Sequence, residues 1–179
     1  IKYGDTSYYE KNLLKKLSID PNSIYALFGM GLVKETRLDY DASRTYLMKA
    51  LSLSPKCLPI IWNLAHVCQL KGDYNESLRW LNQAIKIDPD NKISLYMTAL
   101  CYQRLEVYDK AIPILKRLST GVPFKNDVFY NLGICYGRKG QLSLAHYYFG
   151  QYFKRLGMMK KANMHFEEAR KLKKEHLNK

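Results

Sequence analysis

Apolar positions in this chain recur on two scales at once. Over short stretches they follow the three-and-four rhythm of one helix face, as in Leu27, Met30 and Gly31, and again in Leu47, Ala50 and Leu51. Over long stretches each of these positions returns after 34 residues. One column runs Leu27, Ile61, Leu95, Phe129, and the next Met30, Leu64, Thr98, Leu132. A third is small throughout: Gly31, Ala65, Ala99, Gly133. Tyr40, Tyr74 and Tyr108 form a fourth, continued by Leu142, and Ser43, Ser77, Ala111 and Ala145 a fifth. Leu47, Leu81, Leu115, Phe149 and then Ala50, Ala84, Leu118, Tyr152 complete the set. Pro21, Pro55, Pro89 and Pro123 keep the same interval. Such a period marks stacked supersecondary units, none of which can bury its apolar face alone.

Each unit reads as helix, tight turn, helix. The turn is clearest at Lys71-Gly72-Asp73 and Lys139-Gly140-Gln141, where glycine accepts the positive φ that ends a helix. The column prolines fall after the second helix, where a missing N–H does no harm. Pro113 is expected near the start of its helix, where an N–H has no intrahelical partner. The small columns mark close helix approach, because only short side chains let two backbones come together. Ser7 and Glu10 have the spacing of a capping box at the head of a first, half-length unit.

These columns resemble the tetratricopeptide repeat (TPR) family. Phe129, Leu132, Gly133, Tyr136, Gly140, Ala145 and Phe149 follow its pattern almost letter for letter, and Leu64, Ala65, Gly72, Tyr74, Leu81, Ala84 and Pro89 also fit. Departures are Lys34 and Cys68 in an aromatic column, and Leu38 and Glu106 where glycine is usual. The resemblance implies an all-α, right-handed superhelix of antiparallel helix-turn-helix repeats with a C-terminal capping helix. The expected organisation is a single domain over 1–179. Residues 1–23 form the second helix of a truncated repeat, repeats span 24–57, 58–91, 92–125 and 126–157, and a basic capping helix spans 158–179. The opening half-repeat gives the sequence the look of a fragment of something longer. Gly157 stands where the fourth proline is due. From His146 to Leu172 a second register fits, through Gly150, Phe153, Gly157, Ala162, Phe166 and Ala169, so the helix near 142–155 is expected to close one unit and open the next.

Composition adds charge. The net charge is +13, and residues 154–179 hold nine Lys or Arg against three Glu. Lys160, Lys161, Arg170, Lys171, Lys173 and Lys174 form a basic patch on the last helix, read either as a solvated cap or as an attractor for an acidic partner. There is no apolar run long enough to span a membrane. Cys57, Cys68, Cys101 and Cys135 lack paired metal spacing and read as free thiols, which points to a reducing, cytoplasmic setting. No metalloprotease, P-loop, nucleophile-elbow or dinucleotide motif is present, and the four histidines are scattered, so neither enzyme activity nor a cofactor or metal is expected.

The resemblance places first helices along a concave groove. The residues after the buried column, Phe28, Trp62, Tyr96 and Tyr130, then form an aromatic ladder, followed one turn on by Leu32, His66, Leu100 and Ile134. Asn63, Gln69, Gln103, Arg104, Asn131 and Arg138 supply donors beside it. Such a face suits an extended peptide or a helix of a partner protein, although aromatics in that column also pack between repeats. Some relatives clamp a C-terminal carboxylate there with Lys and Asn. Here Phe28, Leu32, Tyr96 and Leu100 replace part of that set, so an acidic terminus is not the expected ligand. The expected function is a protein-interaction scaffold within a multiprotein complex. The alternatives are a basic module for nucleic acid or an anionic membrane, or the non-catalytic arm of a larger enzyme.

Overall fold

The computed structural model describes residues 6–120 and 125–177; Pro123 and both chain ends lie outside the described residues. Among the described residues every regular element is an α-helix, grouped in two compact units, Ile1–Asp90 and Asn91–Lys179. The first contains α1 (Thr6–Ile19), α2 (Ile24–Thr36), α3 (Tyr40–Leu53), α4 (Leu58–Leu70) and α5 (Tyr74–Ile87). The second contains α6 (Lys92–Arg104), α7 (Tyr108–Ser119), α8 (Asp127–Arg138), α9 (Leu142–Arg155) and α10 (Met159–Leu177). Ser7 and Glu10 both lie inside α1, and the Glu10 carboxylate meets Lys34 Nζ at 2.8 Å and the Arg37 guanidinium.

Within each unit, neighbours in sequence are neighbours in space. In the first, α2 pairs with α3 and α4 with α5, while α1 lies on α2 and α3 on α4. In the second, α6 pairs with α7, α8 with α9 and α9 with α10, and α7 lies on α8. The columns read from the sequence form the interior. Leu27, Ile61, Leu47, Leu81, Leu64, Leu115 and Leu132 are all buried. In the first unit Leu27, Leu47, Ala50, Leu51, Ile60, Ile61 and Leu64 make one apolar cluster, with Phe28 and Trp62 at its margin.

The turns inside the helix pairs share one geometry. Leu38, Gly72, Glu106, Gly140 and Gly157 all have positive φ, from 61° to 79°. After each, the next N–H returns to a carbonyl five residues back: Asp39 to Lys34, Asp73 to Cys68, Val107 to Tyr102, Gln141 to Tyr136 and Met158 to Phe153, at 2.8–3.0 Å. This closes orphan carbonyls at the helix end. The turn therefore imposes a left-handed residue whatever the side chain, and Leu38 and Glu106 adopt it without the freedom of glycine. Asp39 and Asp73 then cap the following helices, accepting from Ala42 N and Glu76 N.

The close approach predicted from the small columns is present. A Cβ on Gly31 would come within 2.7 Å of Leu47, and one on Gly133 within 2.6 Å of Phe149. Gly150 stands in the same relation to Phe166, at 2.5 Å. With the positive φ at Gly157, this shows α9 serving as the second helix of one pair and the first of the next, as the alternative register predicts. One expectation is corrected: Pro113 is the sixth residue of α7, inside the helix, so the bond its N–H would have made to the Asp109 carbonyl is forgone.

Candidate interaction faces

In the first unit the predicted stripe runs along α2 and α4. Phe28 and Trp62 are half-buried at the edge of the apolar cluster, and Leu32 and His66 keep substantial exposure. Asn63 donates from Nδ2 to the carbonyl of Pro59, one turn back on its own helix. His66 Nδ1 lies 3.2 Å from Glu35 Oε1, and this carboxylate raises the histidine pKa above its ordinary value against the opposing effect of burial. Glu35 Oε2 is shut away from solvent, and among the described residues no donor reaches it. Gln69 turns its amide toward Ser77 Oγ at 3.3 Å.

In the second unit the stripe runs along α6 and α8, and it is partly closed. Tyr96 and Asn131 are 9% and 8% exposed, and Asn131 Nδ2 donates to the Tyr96 hydroxyl at 3.0 Å and to the Asp127 carbonyl at 2.9 Å. Burial, with the nearby Asp127 charge, raises the Tyr96 phenol pKa, while the Asn131 bond opposes the shift. The Lys125 ammonium stands 5.4 Å from the centre of the Tyr96 ring. Gln103 Nε2 donates to the Asn131 carbonyl at 3.4 Å. Tyr130 is 43% exposed, with its other side against Phe149 and Tyr152. Leu100 and Ile134 are half-buried, and Arg104 and Arg138 are exposed. Thus Tyr130, Ile134 and the two arginines offer surface, whereas Tyr96 and Asn131 mainly hold α6 to α8. Neither the Tyr96–Asn131 bond nor the buried Glu35 oxygen was visible from spacing, since both depend on which rotamers the packing admits.

On α10, Lys160, Lys161, Arg170, Lys171, Lys173 and Lys174 are all exposed, and Lys161 lies 5.4 Å over the ring of Phe153. Beneath them the pair α9–α10 is aromatic. His165 stacks on Phe153 with centroids 5.3 Å apart, and its Nδ1 lies 3.1 Å from Nδ1 of His146. Burial and the neighbouring His146 lower the His165 pKa. Cys68, Cys101 and Cys135 are buried thiols outside any disulfide, and burial pushes Cys68 and Cys135 up to about 11. Among the described residues no three His, Cys, Asp or Glu side chains converge as metal ligands, and no helix is long and apolar enough to cross a membrane.

Three tetratricopeptide repeat profiles match the chain, over residues 24–57, 60–91 and 94–120, together more than half of it. No curated protein matches. Among solved structures, PilW, a widely conserved type IV pilus biogenesis factor, is similar at 21% identity and a TM-score of 0.75, covering 90% of this chain and 83% of that one. YrrB, a TPR protein with an unusual peptide-binding site, is similar at 19% identity and a TM-score of 0.71, covering 93% and 84%. MamA from Desulfovibrio magneticus RS-1 is similar at 19% identity and a TM-score of 0.59, covering 96% and 88%. Likenesses at these identities show the all-α helical-repeat fold and nothing finer.

Proposed function

The chain belongs to the tetratricopeptide repeat family, and from that premise we propose that it is a non-catalytic scaffold. It binds a peptide segment or a helix of another protein along its first-helix stripes, within a multiprotein assembly. The observation that carries this reading is the α2–α4 stripe. Leu32, Trp62 and His66 keep surface there beside the Glu35 carboxylate. Trp62 is the anchor of the face, because large aromatics dominate interface energetics. YrrB, with its unusual peptide-binding site, supports the reading by analogy of fold. Thiols outside any disulfide fit a reducing compartment such as the cytoplasm.

The test is Trp62→Ala in the intact chain, reading partner retention and melting together. Retention should fall by the equivalent of about 2 kcal/mol with helicity unchanged. A lower melting temperature with unchanged affinity per folded molecule would make the column structural and remove the site.

A second reading rests on the six exposed cations of α10, which would draw nucleic acid or an anionic membrane. Reversing Lys171, Lys173 and Lys174 to Glu should then slow association and flatten its salt dependence. An unchanged association rate at low salt would reduce this helix to a solvated cap.

A further inference from the structure

Leu144 and Tyr147 of α9, with Phe166 and Ala169 of α10, line a cavity of about 340 Å³ edged by Arg170 and Lys173. Ser143 closes one side by donating its hydroxyl to the Ala169 carbonyl at 2.9 Å. Leu144 and Tyr147 are 42% and 44% exposed, and among the described residues no further helix covers this face. Its meaning comes from the repeat itself. Sliding α9–α10 back by 119 residues superposes its landmarks on α2–α3: Gly150 on Gly31, Gly157 on Leu38 and Phe166 on Leu47. Tyr147 then falls on Phe28, Ala169 on Ala50, Arg170 on Leu51 and Lys173 on Ser54. On α2–α3 this same face is closed: Phe28, Leu47, Ala50 and Leu51 cluster with Ile60, Ile61 and Leu64 of the next helix. On α8–α9 the following helix again covers it, with His165 of α10 against Phe149 and Phe153. The cavity thus corresponds to the face that the following helix covers on α2–α3, with Arg170 and Lys173 at the positions of Leu51 and Ser54.

We propose that the α9–α10 face seats an acidic amphipathic helix of a partner protein. The helix lays aliphatic side chains over Tyr147, Phe166 and Ala169 and sets carboxylates against Arg170 and Lys173. The charge selects the occupant. Arg170, Lys171, Lys173 and Lys174 are offset along α10 only by Glu167, Glu168 and Glu175, so a neutral or basic helix would leave cations confronting apolar or like-charged surface. A second copy offering α1 would bring Lys11, Lys15 and Lys16 with Glu10, the wrong sign. This seat shares no residue with the α2–α4 and α6–α8 stripes, so either proposal can fail without the other.

The experiment uses the full chain and a labelled, stapled 14-residue helix. The probe carries Ile, Ile and Leu at the spacing of Ile60, Ile61 and Leu64 and Glu at its remaining positions; an isomer carries Lys for Glu. Fluorescence anisotropy should show binding of the acidic probe alone. Arg170→Glu with Lys173→Glu should weaken it at least tenfold and admit the Lys isomer, a gain that an unfolded variant could not produce. Trp62→Ala should leave both unchanged. The proposal is overturned if the acidic probe does not bind, if both isomers bind the native chain alike, or if the reversal changes nothing. It is equally overturned if sedimentation equilibrium shows self-association through this face, or if phosphatidylserine vesicles, but not the probe, respond to the reversal.

Discussion

At the scale of single residues the turns carry the sharpest consequence. A left-handed conformation costs an ordinary L-residue about 1–2 kcal/mol, partly offset because glycine loses more entropy on folding. Leu38, with φ of 62°, and Glu106, with φ of 61°, bear that cost; Gly72 and Gly140 do not. Leu38→Gly and Glu106→Gly should therefore each stabilise the fold by about 0.5–1 kcal/mol, and Gly140→Ala should destabilise it by a similar amount, as read from denaturation midpoints. The histidines give a second expectation. Glu35 holds His66 above its ordinary pKa, while burial and His146 hold His165 below. The folded state favours the His66 imidazolium, so its contribution to stability is complete below about 6.5 and fades as pH rises through the raised value. His165 acts oppositely: its folded form resists the proton, and stability falls as pH drops below about 6.5. Imidazole shifts followed by NMR should bracket the unperturbed value from both sides, and Glu35→Gln should return His66 toward it. Two histidines titrating together would contradict the geometry.

At the scale of elements, the helices and their pairing were legible because both were written as periodicity. The columns marked the buried face, and the small residues marked the crossing points. Replacing Gly133 with Leu should overpack α8 against Phe149 and cost roughly 1–3 kcal/mol. An unchanged midpoint would mean that α8 and α9 are not in close contact. What the sequence hid was chemistry between side chains that share no column. Tyr96 and Asn131 were readable as groove residues from their positions, yet a hydrogen bond draws both inside. Leu38 and Glu106 read as departures from a glycine column, yet the backbone there keeps the glycine conformation, because five-residue hydrogen bonds fix the turn more strongly than one side chain resists it. Pro113 misled in the other direction, since its helix begins at Tyr108, earlier than proline grammar requires.

At the scale of the whole molecule, the family, the all-helical class and the second register of α9 were open to sequence reading, because each is a matter of interval. The open face of α9–α10 was not, since it is defined by packing that no helix among the described residues supplies. The double duty of α9 also bears on how such a chain can change length during descent. If one helix can end a pair and begin another, the heritable step is 17 residues and not 34. Excising residues 141–157 sets Phe166 sixteen places after Gly133, where Phe149 now stands, and brings Ala162 to the place of Ala145. The shortened chain should melt cooperatively, with α10 docked on α8, whereas an excision of 16 or 18 residues should turn the wrong face inward and give a loose, non-cooperative product. Circular dichroism melts of the three deletions would decide it. A gene for this fold could then gain or lose a single helix in one event of 51 nucleotides and keep every downstream contact in phase.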